Sequence, residues 1–203
     1  MIIGMCGLIG TGKDTVADIL VNNYNFIKVS FADKLKDGVA TVFSWDREML
    51  EGTTDESRTW REQKDEFWSR ETNEHITPRL VLQMFGTDCM RNGFYNGIWV
   101  SIVKQQIINN PNKNFVIPDV RFPNEAKMIK EVNGEVWRIC RGQDPQWFIS
   151  YVKDNIVPTD VHESEWQWAK LDFDCVIHNN DTIIDLKNQV SDHLASNAHL
   201  SFA

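Results

Sequence analysis

Short apolar runs alternate with stretches whose apolar residues recur every three or four positions, and that alternation predicts the elements. Met1 to Cys6 has the length and continuity of a strand buried on both faces. After a glycine-rich turn, Val16, Ile19 and Leu20 share one face of a helix beginning near Asp14. Phe26 to Phe31 predicts a second strand, and Asp33 to Phe43 a helix. Thr77-Pro78 is a helix start, with Thr as N-cap and Pro in the first helical position; the helix carries Leu80, Val81, Met84 and Phe85. Another helix spans about Trp99 to Asn109 and stops at Asn110-Pro111. Phe115-Val116-Ile117 predicts a third buried strand, and the following helix runs to a C-cap at Asn133-Gly134. Val136 to Arg141 and Cys175-Val176-Ile177 predict the last two strands, and Asp181 to Leu194 a closing helix. Strands alternating with helices predict an α/β fold with a parallel sheet. Asp46 to Glu74 is densely charged and lacks an apolar run. It predicts a cap insertion over about 46–76, outside the core. Gln143 to Leu171 is polar and aromatic without a clean period, and reads as a lid over about 142–171.

At 203 residues the chain suits a single domain with a lid or insertion. With 42% hydrophobic and 25% charged residues, disorder and collagen-like repeats are excluded. Twenty-one cations against 29 acids give a net charge of −8, a poor basis for general DNA or RNA binding. Phosphate chemistry must then rest on a few local cations. Eight Trp and eleven Phe imply a substantial core, a stacking pocket, or both. Cys6, Cys89, Cys140 and Cys175 form no CxxC pair, so reduced thiols are expected rather than a zinc or redox site. No run is long enough to span a membrane and no leader-like segment is visible, so a cytoplasmic setting is expected.

Gly7-Leu8-Ile9-Gly10-Thr11-Gly12-Lys13 fits G-x-x-x-x-G-K between a strand and a helix, the context this phosphate loop requires. Glycines let backbone N–H groups turn toward phosphate oxygens, and the helix N-terminus adds partial positive charge. Lys13 supplies a point charge for the β- and γ-phosphates of a nucleotide such as ATP. The next position usually carries Ser or Thr to bind Mg²⁺; here it is Asp14, with Thr15 after it. A carboxylate can hold Mg²⁺ directly or through water. These features predict a P-loop NTPase-type three-layer α/β/α fold.

No apolar run ends in an acidic pair and no guanine-reading motif is present, which argues against a motor or a switch. Cations instead stand at loop and helix starts: Lys36, Arg70, Arg79, Arg121, Arg138 and Arg141. Phosphoryl transfer between two anions needs several such groups, and arginine makes forked contacts with phosphate. Each is otherwise a solvated surface ion pair. Arg138 and Arg141 are lid candidates, Arg141 the stronger because it ends its strand. Asp119, just past a strand end, either orients a metal-bound water or an acceptor group, or caps the next helix. Glu125 either reaches the same site or decorates the first helical turn. Gln83, four residues after Arg79, either pairs with a base edge or faces solvent; Trp99 either stacks on a base or packs in the core. His162 with Glu163 and Glu165 lacks a second His at ligand spacing, so zinc is not expected. Asn179 and Asn180 either contact an adenine edge or turn the chain. Trp147, Trp166 and Trp168 fit a dimer face or a lid packed on the core.

Taken in order, these residues resemble the deoxynucleoside monophosphate kinases of tailed bacteriophages. The likeness runs through Gly12-Lys13-Asp14-Thr15, Lys36, Arg70-Glu71-Thr72-Asn73, Arg79 with Gln83, Gly86-Thr87-Asp88 and Trp99. It continues through Ile117-Pro118-Asp119-Val120-Arg121, Arg141-Gly142, Asp160 to Glu165, and Ile177 to Asp181. The resemblance implies Mg²⁺-dependent transfer of the ATP γ-phosphoryl to a deoxynucleoside 5′-monophosphate, and a homodimer. It implies ATP-phosphate binding by Gly10, Thr11, Gly12, Lys13, Asp14 and Thr15. It implies an acceptor pocket lined by Lys36, Arg70, Arg79, Gly86, Thr87 and Trp99, with Asp119, Arg121 and Glu125 nearby. The chain is shorter than some members between Asn73 and Thr77, which leaves base specificity open. Other readings of the same cations are a kinase for dephospho-coenzyme A or phosphomevalonate, or a regulatory module that holds ATP without turnover.

Overall fold

The computed structural model describes residues 1–200, with side chains to residue 196. In chain order the elements are β1 (Ile2–Cys6), α1 (Lys13–Tyr24), β2 (Phe26–Lys28), α2 (Asp33–Phe43), α3 (Asp55–Glu62), α4 (Glu66–Thr72) and α5 (Pro78–Gln83). A π-helical segment, Met84–Asn92, follows α5 directly. Then come α6 (Ile98–Ile108), β3 (Asn114–Ile117), α7 (Pro123–Glu131), β4 (Glu135–Cys140), α8 (Gln146–Asp154), the 3₁₀ turns Glu163–Glu165 and Gln167–Lys170, β5 (Cys175–His178) and α9 (Ile183–Leu200). The chain packs as two compact units, Met1–Ser30 with Val103–Ala203, and Phe31–Ile102.

In the first unit the strands lie in the order β2-β3-β1-β4-β5, all parallel. Every residue of β1 is buried, as its uninterrupted apolar run demands. Side chains alternate across a strand, and β1 shows which helix covers which face. Ile3 and Met5 join Val16, Leu20, Leu186 and Val190 in one cluster, beneath α1 and α9. Gly4 points the other way, and a Cβ there would meet Ile129 Cδ1 of α7 at 2.1 Å. Helices therefore cover both faces, giving three α/β/α layers. The connections leaving β1 and β3, neighbours in the sheet, run to helices on opposite faces. Such a divergence opens a crevice at the carboxyl ends of the two strands, where ligands of open α/β sheets bind.

Several boundaries differ from expectation. The second strand stops at Lys28 rather than Phe31. Val29 still donates to Val116 O (3.0 Å), but Ser30 turns away to put its hydroxyl on Asp119. The fourth strand ends at Cys140, leaving Arg141 just beyond it. The closing helix begins at Ile183, after Thr182 and Asp185 bond reciprocally, and continues to Leu200. Asn133 takes the left-handed conformation expected of a C-cap (φ 56°), and Gly134 donates to Ile129 O.

The second unit has its own apolar cluster: Val39, Leu50, Ile76 and Val81, packed by Phe43, Trp45, Trp60 and Trp68 among others. The stretch read as a cap outside the core supplies Leu50 and Ile76 to this cluster, which is separate from the one around β1. Its apolar residues are spread one to a turn through polar sequence, so no run announces them. Short helices with strong caps present them together. Thr54 and Ser57 form a capping box for α3, Asp65 accepts from Trp68 N, and Thr77 accepts from Leu80 N. Among the described residues no helix is long and apolar enough to cross a membrane.

Candidate active site

The loop between β1 and α1 is held by its own sequence. Gly10 (φ 79°) and Gly12 (φ 97°) occupy conformations that cost an L side chain strain. Gly12 has a second constraint, since a Cβ would lie 2.3 Å from Asn179 Nδ2. That amide, just past β5, donates to Thr11 O (3.0 Å), and Asn180 Oδ1 accepts from Gly142 N (2.7 Å). Both asparagines thus tie loops at the carboxyl edge of the sheet. Thr11, almost wholly buried, donates to Leu8 O, and Lys13 Nζ donates to Gly7 O (2.7 Å) and Leu8 O (2.9 Å). Burial holds the Lys13 pKa below the usual lysine value, and Arg121 pushes the same way against Glu165 and Asp14. The N-terminus of a helix with inward-facing N–H groups and a nearby cation suits an anion such as phosphate.

Asp14 and Thr15 lie exposed in the first turn of α1, and Asp14 pairs with Lys28 (2.8 Å). Asp119 follows β3 beside β1, since Val120 N donates to Met5 O (3.2 Å), and it accepts from Ser30 Oγ. It does not cap α7, whose N-cap is Phe122. Glu125 takes that structural role instead. Buried at 3% exposure, it accepts from Arg121 N (2.7 Å) and Phe122 N (3.1 Å). It fixes the backbone that carries Arg121, in keeping with the helical-turn alternative held open for it. Asp14, Thr15 and Asp119 offer the hard oxygen donors that suit Mg²⁺. Among the described residues no group of three or more His, Cys, Asp or Glu could hold a metal by itself. Such a donor set fits an ion that arrives on nucleotide phosphates.

Aromatic residues of the 142–171 segment pack on one another. Arg138 of β4 makes two bonds to Asp144 (2.7 and 2.6 Å) and lies over the rings of Phe148 (4.8 Å) and Trp168 (5.9 Å). Trp166 packs on Tyr151 and donates to Val161 O, while Trp168 is 1% exposed. Arg138 is therefore committed to packing, and Arg141, exposed beyond β4, has no such partner among the described residues. His162 caps the Glu163–Glu165 turn through Ser164. All four cysteines are free thiols, and burial pushes those of Cys6, Cys140 and Cys175 up, away from nucleophilic use.

The second unit carries the remaining candidates. Lys36, largely buried, pairs with Glu51 (2.5 Å), which also accepts from Arg47. Burial alone would raise the Glu51 carboxyl; bonds from the two cations outweigh it and hold it low. Arg70 is exposed over the Phe67 ring, and Arg79 pairs with Glu62 (2.7 Å) on an exposed face. Gln83 and Thr87 are exposed, and Gly86 is buried. Trp99 is 5% exposed and gives its N–H to Gly86 O (3.1 Å). It therefore ties α6 to the Met84–Asn92 segment, in keeping with the packing alternative held open beside stacking. Sequence reasoning missed Arg61, whose Nε is buried without a hydrogen-bond partner. Burial, and then Arg79, lower its pKa. The signal was available in the three-residue spacing of Arg58 and Arg61, which puts both on one helical face. Glu165 was named only within the Asp160–Glu165 stretch; its contact with Arg121, 44 residues away, was not foreseen.

A sequence family described as Deoxynucleotide monophosphate kinase matches residues 44–190. A protein of Acanthamoeba polyphaga mimivirus, assigned as a deoxynucleotide monophosphate kinase, is 32% identical over 202 residues, covering 94% of each chain. The deoxynucleoside-5′-monophosphate kinase of Escherichia phage T5 is 41% identical over 58 residues, 29% of this chain and 23% of that one. A dephospho-CoA kinase from Campylobacter jejuni superposes with a TM-score of 0.44 at 16% identity, covering 96% of each chain. The family match covers well over half the chain and the mimivirus relative nearly all of it, so this chain belongs to the deoxynucleotide monophosphate kinase family and is a kinase.

Proposed function

We propose that the chain transfers the γ-phosphoryl of ATP to a deoxynucleoside 5′-monophosphate, giving ADP and the deoxynucleoside diphosphate. An acceptor phosphate oxygen forms the new bond to the γ-phosphorus, and the bond to the β–γ bridging oxygen breaks. The observation that carries this reading is the glycine loop after β1, where half-buried Lys13 rests its Nζ on the Gly7 and Leu8 carbonyls, in a chain of this family. On this reading Gly10 to Thr15 hold the ATP phosphates, and Lys13 and Arg121 meet the charge that develops on the transferred group. Asp14 or Thr15, with Asp119, would hold Mg²⁺, which would supply charge neutralisation on the nucleotide phosphates. Arg70, Arg79 and Lys36 hold the acceptor phosphate, Gln83 reads a base edge, and Thr87 contributes to the same pocket. Arg141 serves as the lid cation on ATP. Alignment and charge neutralisation are most of the chemistry such a reaction needs from protein.

The test is a coupled ADP-release assay with ATP and Mg²⁺ against the four dNMPs, the four NMPs, dephospho-coenzyme A, phosphomevalonate and no acceptor. Turnover confined to dNMPs supports the reading and supplies the base preference. Turnover only with another acceptor overturns the acceptor assignment, and ATP binding without turnover favours a regulatory module.

A further inference from the structure

Glu165 has no part in the reading above, yet it meets one of its central cations. Arg121 Nη1 donates to Glu165 Oε1 (3.0 Å) and to Ser164 Oγ (3.2 Å). We propose that Glu165 is a positioning residue for phosphoryl transfer, holding Arg121 by one guanidinium nitrogen so that the rest of the fork faces the phosphates on the Gly10–Thr15 loop. The proposal rests on the reading of Lys13 and Arg121 as ligands of the transferred group.

Three observations carry it. Both bonds end on Nη1, while arginine holds five N–H donors in one rigid plane. Anchoring one corner therefore fixes the plane and leaves the Nη2 and Nε hydrogens for oxygens elsewhere. The Arg121 side chain is half exposed, whereas Glu165 is 21% exposed, so the anchor is the better buried partner. The anchoring turn is itself assembled from within. Ser164 N donates to His162 Nδ1 (3.3 Å), so that nitrogen acts as an acceptor. The Ser164 hydroxyl, 2.9 Å away, then donates to it and keeps its lone pairs for Arg121. Arg121 is held at its other end too, by Glu125 on its backbone N–H. The third observation is electrostatic. Arg121 and Glu165 act on Lys13 in opposite directions, so Glu165 offsets the cost of setting two cations side by side before a phosphate arrives. A half-exposed pair of this kind contributes little to stability, which leaves orientation as what it adds.

The test is a double-variant cycle in the full-length enzyme. Arg121→Ala, Glu165→Ala, Glu165→Gln and the Arg121→Ala/Glu165→Ala pair are assayed for kcat, for KM of ATP and dNMP, and for melting temperature. Glu165→Ala should lower kcat by about ten- to a hundredfold, with KM for ATP nearly unchanged and melting unaltered. Glu165→Gln should fall between it and the parent. The double variant should be no slower than Arg121→Ala alone, because Glu165 acts through Arg121. Parental kcat in both Glu165 variants would overturn the proposal, as would losses that multiply in the double variant or that track loss of folded protein. A parent enzyme that turns over no dNMP refutes the acceptor assignment alone. The same cycle is then read on affinity for Mg-ADP with aluminium fluoride, which needs only the donor side. The same pattern of losses there supports the positioning role, and unchanged affinity in Glu165→Ala overturns it.

Discussion

Lys13 is a half-buried cation resting on two backbone carbonyls, and burial depresses its pKa. Phosphate oxygens favour the charged form, so bound ATP raises that pKa. On the alkaline side, ATP binding should therefore take up protons, and ATP affinity should fall as pH rises. Calorimetry in buffers of different ionisation heat measures the uptake; wild-type binding without it would sink this account of the loop. Lys13→Arg should abolish the uptake while keeping the charge. Lys13→Ala should lower kcat/KM by at least about a hundredfold, the scale of losing one donor aimed at developing charge. Arg79 makes the contrasting case. Its bond to Glu62 lies on an exposed face, where an ion pair contributes about 0–1 kcal/mol, so Arg79→Ala should leave the melting temperature nearly unchanged. Its KM for dNMP should rise or its kcat fall, with ATP binding intact. A change confined to ATP affinity would put Arg79 on the wrong substrate.

At the scale of elements, what was legible in the sequence was what depends on neighbours in the chain. β1 and β3 are continuous apolar runs because parallel strands are buried on both faces, and the loop after β1 carries its glycines at fixed spacing. Thr77 and Pro78 start α5 as their local chemistry requires. What was not legible depends on partners far along the chain. Trp99 was ambiguous until Gly86 O was seen to take its N–H, and Glu125 until its carboxylate was found on Arg121 N and Phe122 N. Met84 and Phe85 were read as part of the helix begun at Thr77-Pro78; instead α5 ends at Gln83 and a π-helical segment, Met84–Asn92, follows. Trp99→Phe tests that anchor. It removes the indole bond to the Gly86 carbonyl, at a cost of about 0.5–1.5 kcal/mol. Hydrogen exchange across Met84–Asn92 should quicken, while the strands of the sheet keep their protection. Equal exchange in both proteins would show that the bond holds nothing.

At the scale of the whole molecule, the charged composition concealed a second core. Leu50, Trp60, Trp68 and Ile76 are separated by polar residues, so each reads alone as a surface accident; together with Val39 and Val81 they form one cluster. Each compact unit thus buries apolar residues of its own, and the proposed substrate roles divide along the same line: the phosphate loop belongs to one, and Lys36, Arg70 and Arg79 to the other. That division can be tested from the core outward. Leu50 is wholly buried, so Leu50→Ala should cost about 2–5 kcal/mol, the removed methyls plus the cavity they leave. The loss should fall on the second unit. Amides of Phe31–Ile102 should exchange faster, dNMP-dependent turnover should drop at temperatures the parent tolerates, and ATP binding by the Gly10–Thr15 loop should persist. If ATP binding and the exchange of β1 and β3 fail in step with the Phe31–Ile102 amides, the two clusters are one cooperative core, and the separation of donor and acceptor roles has no thermodynamic counterpart.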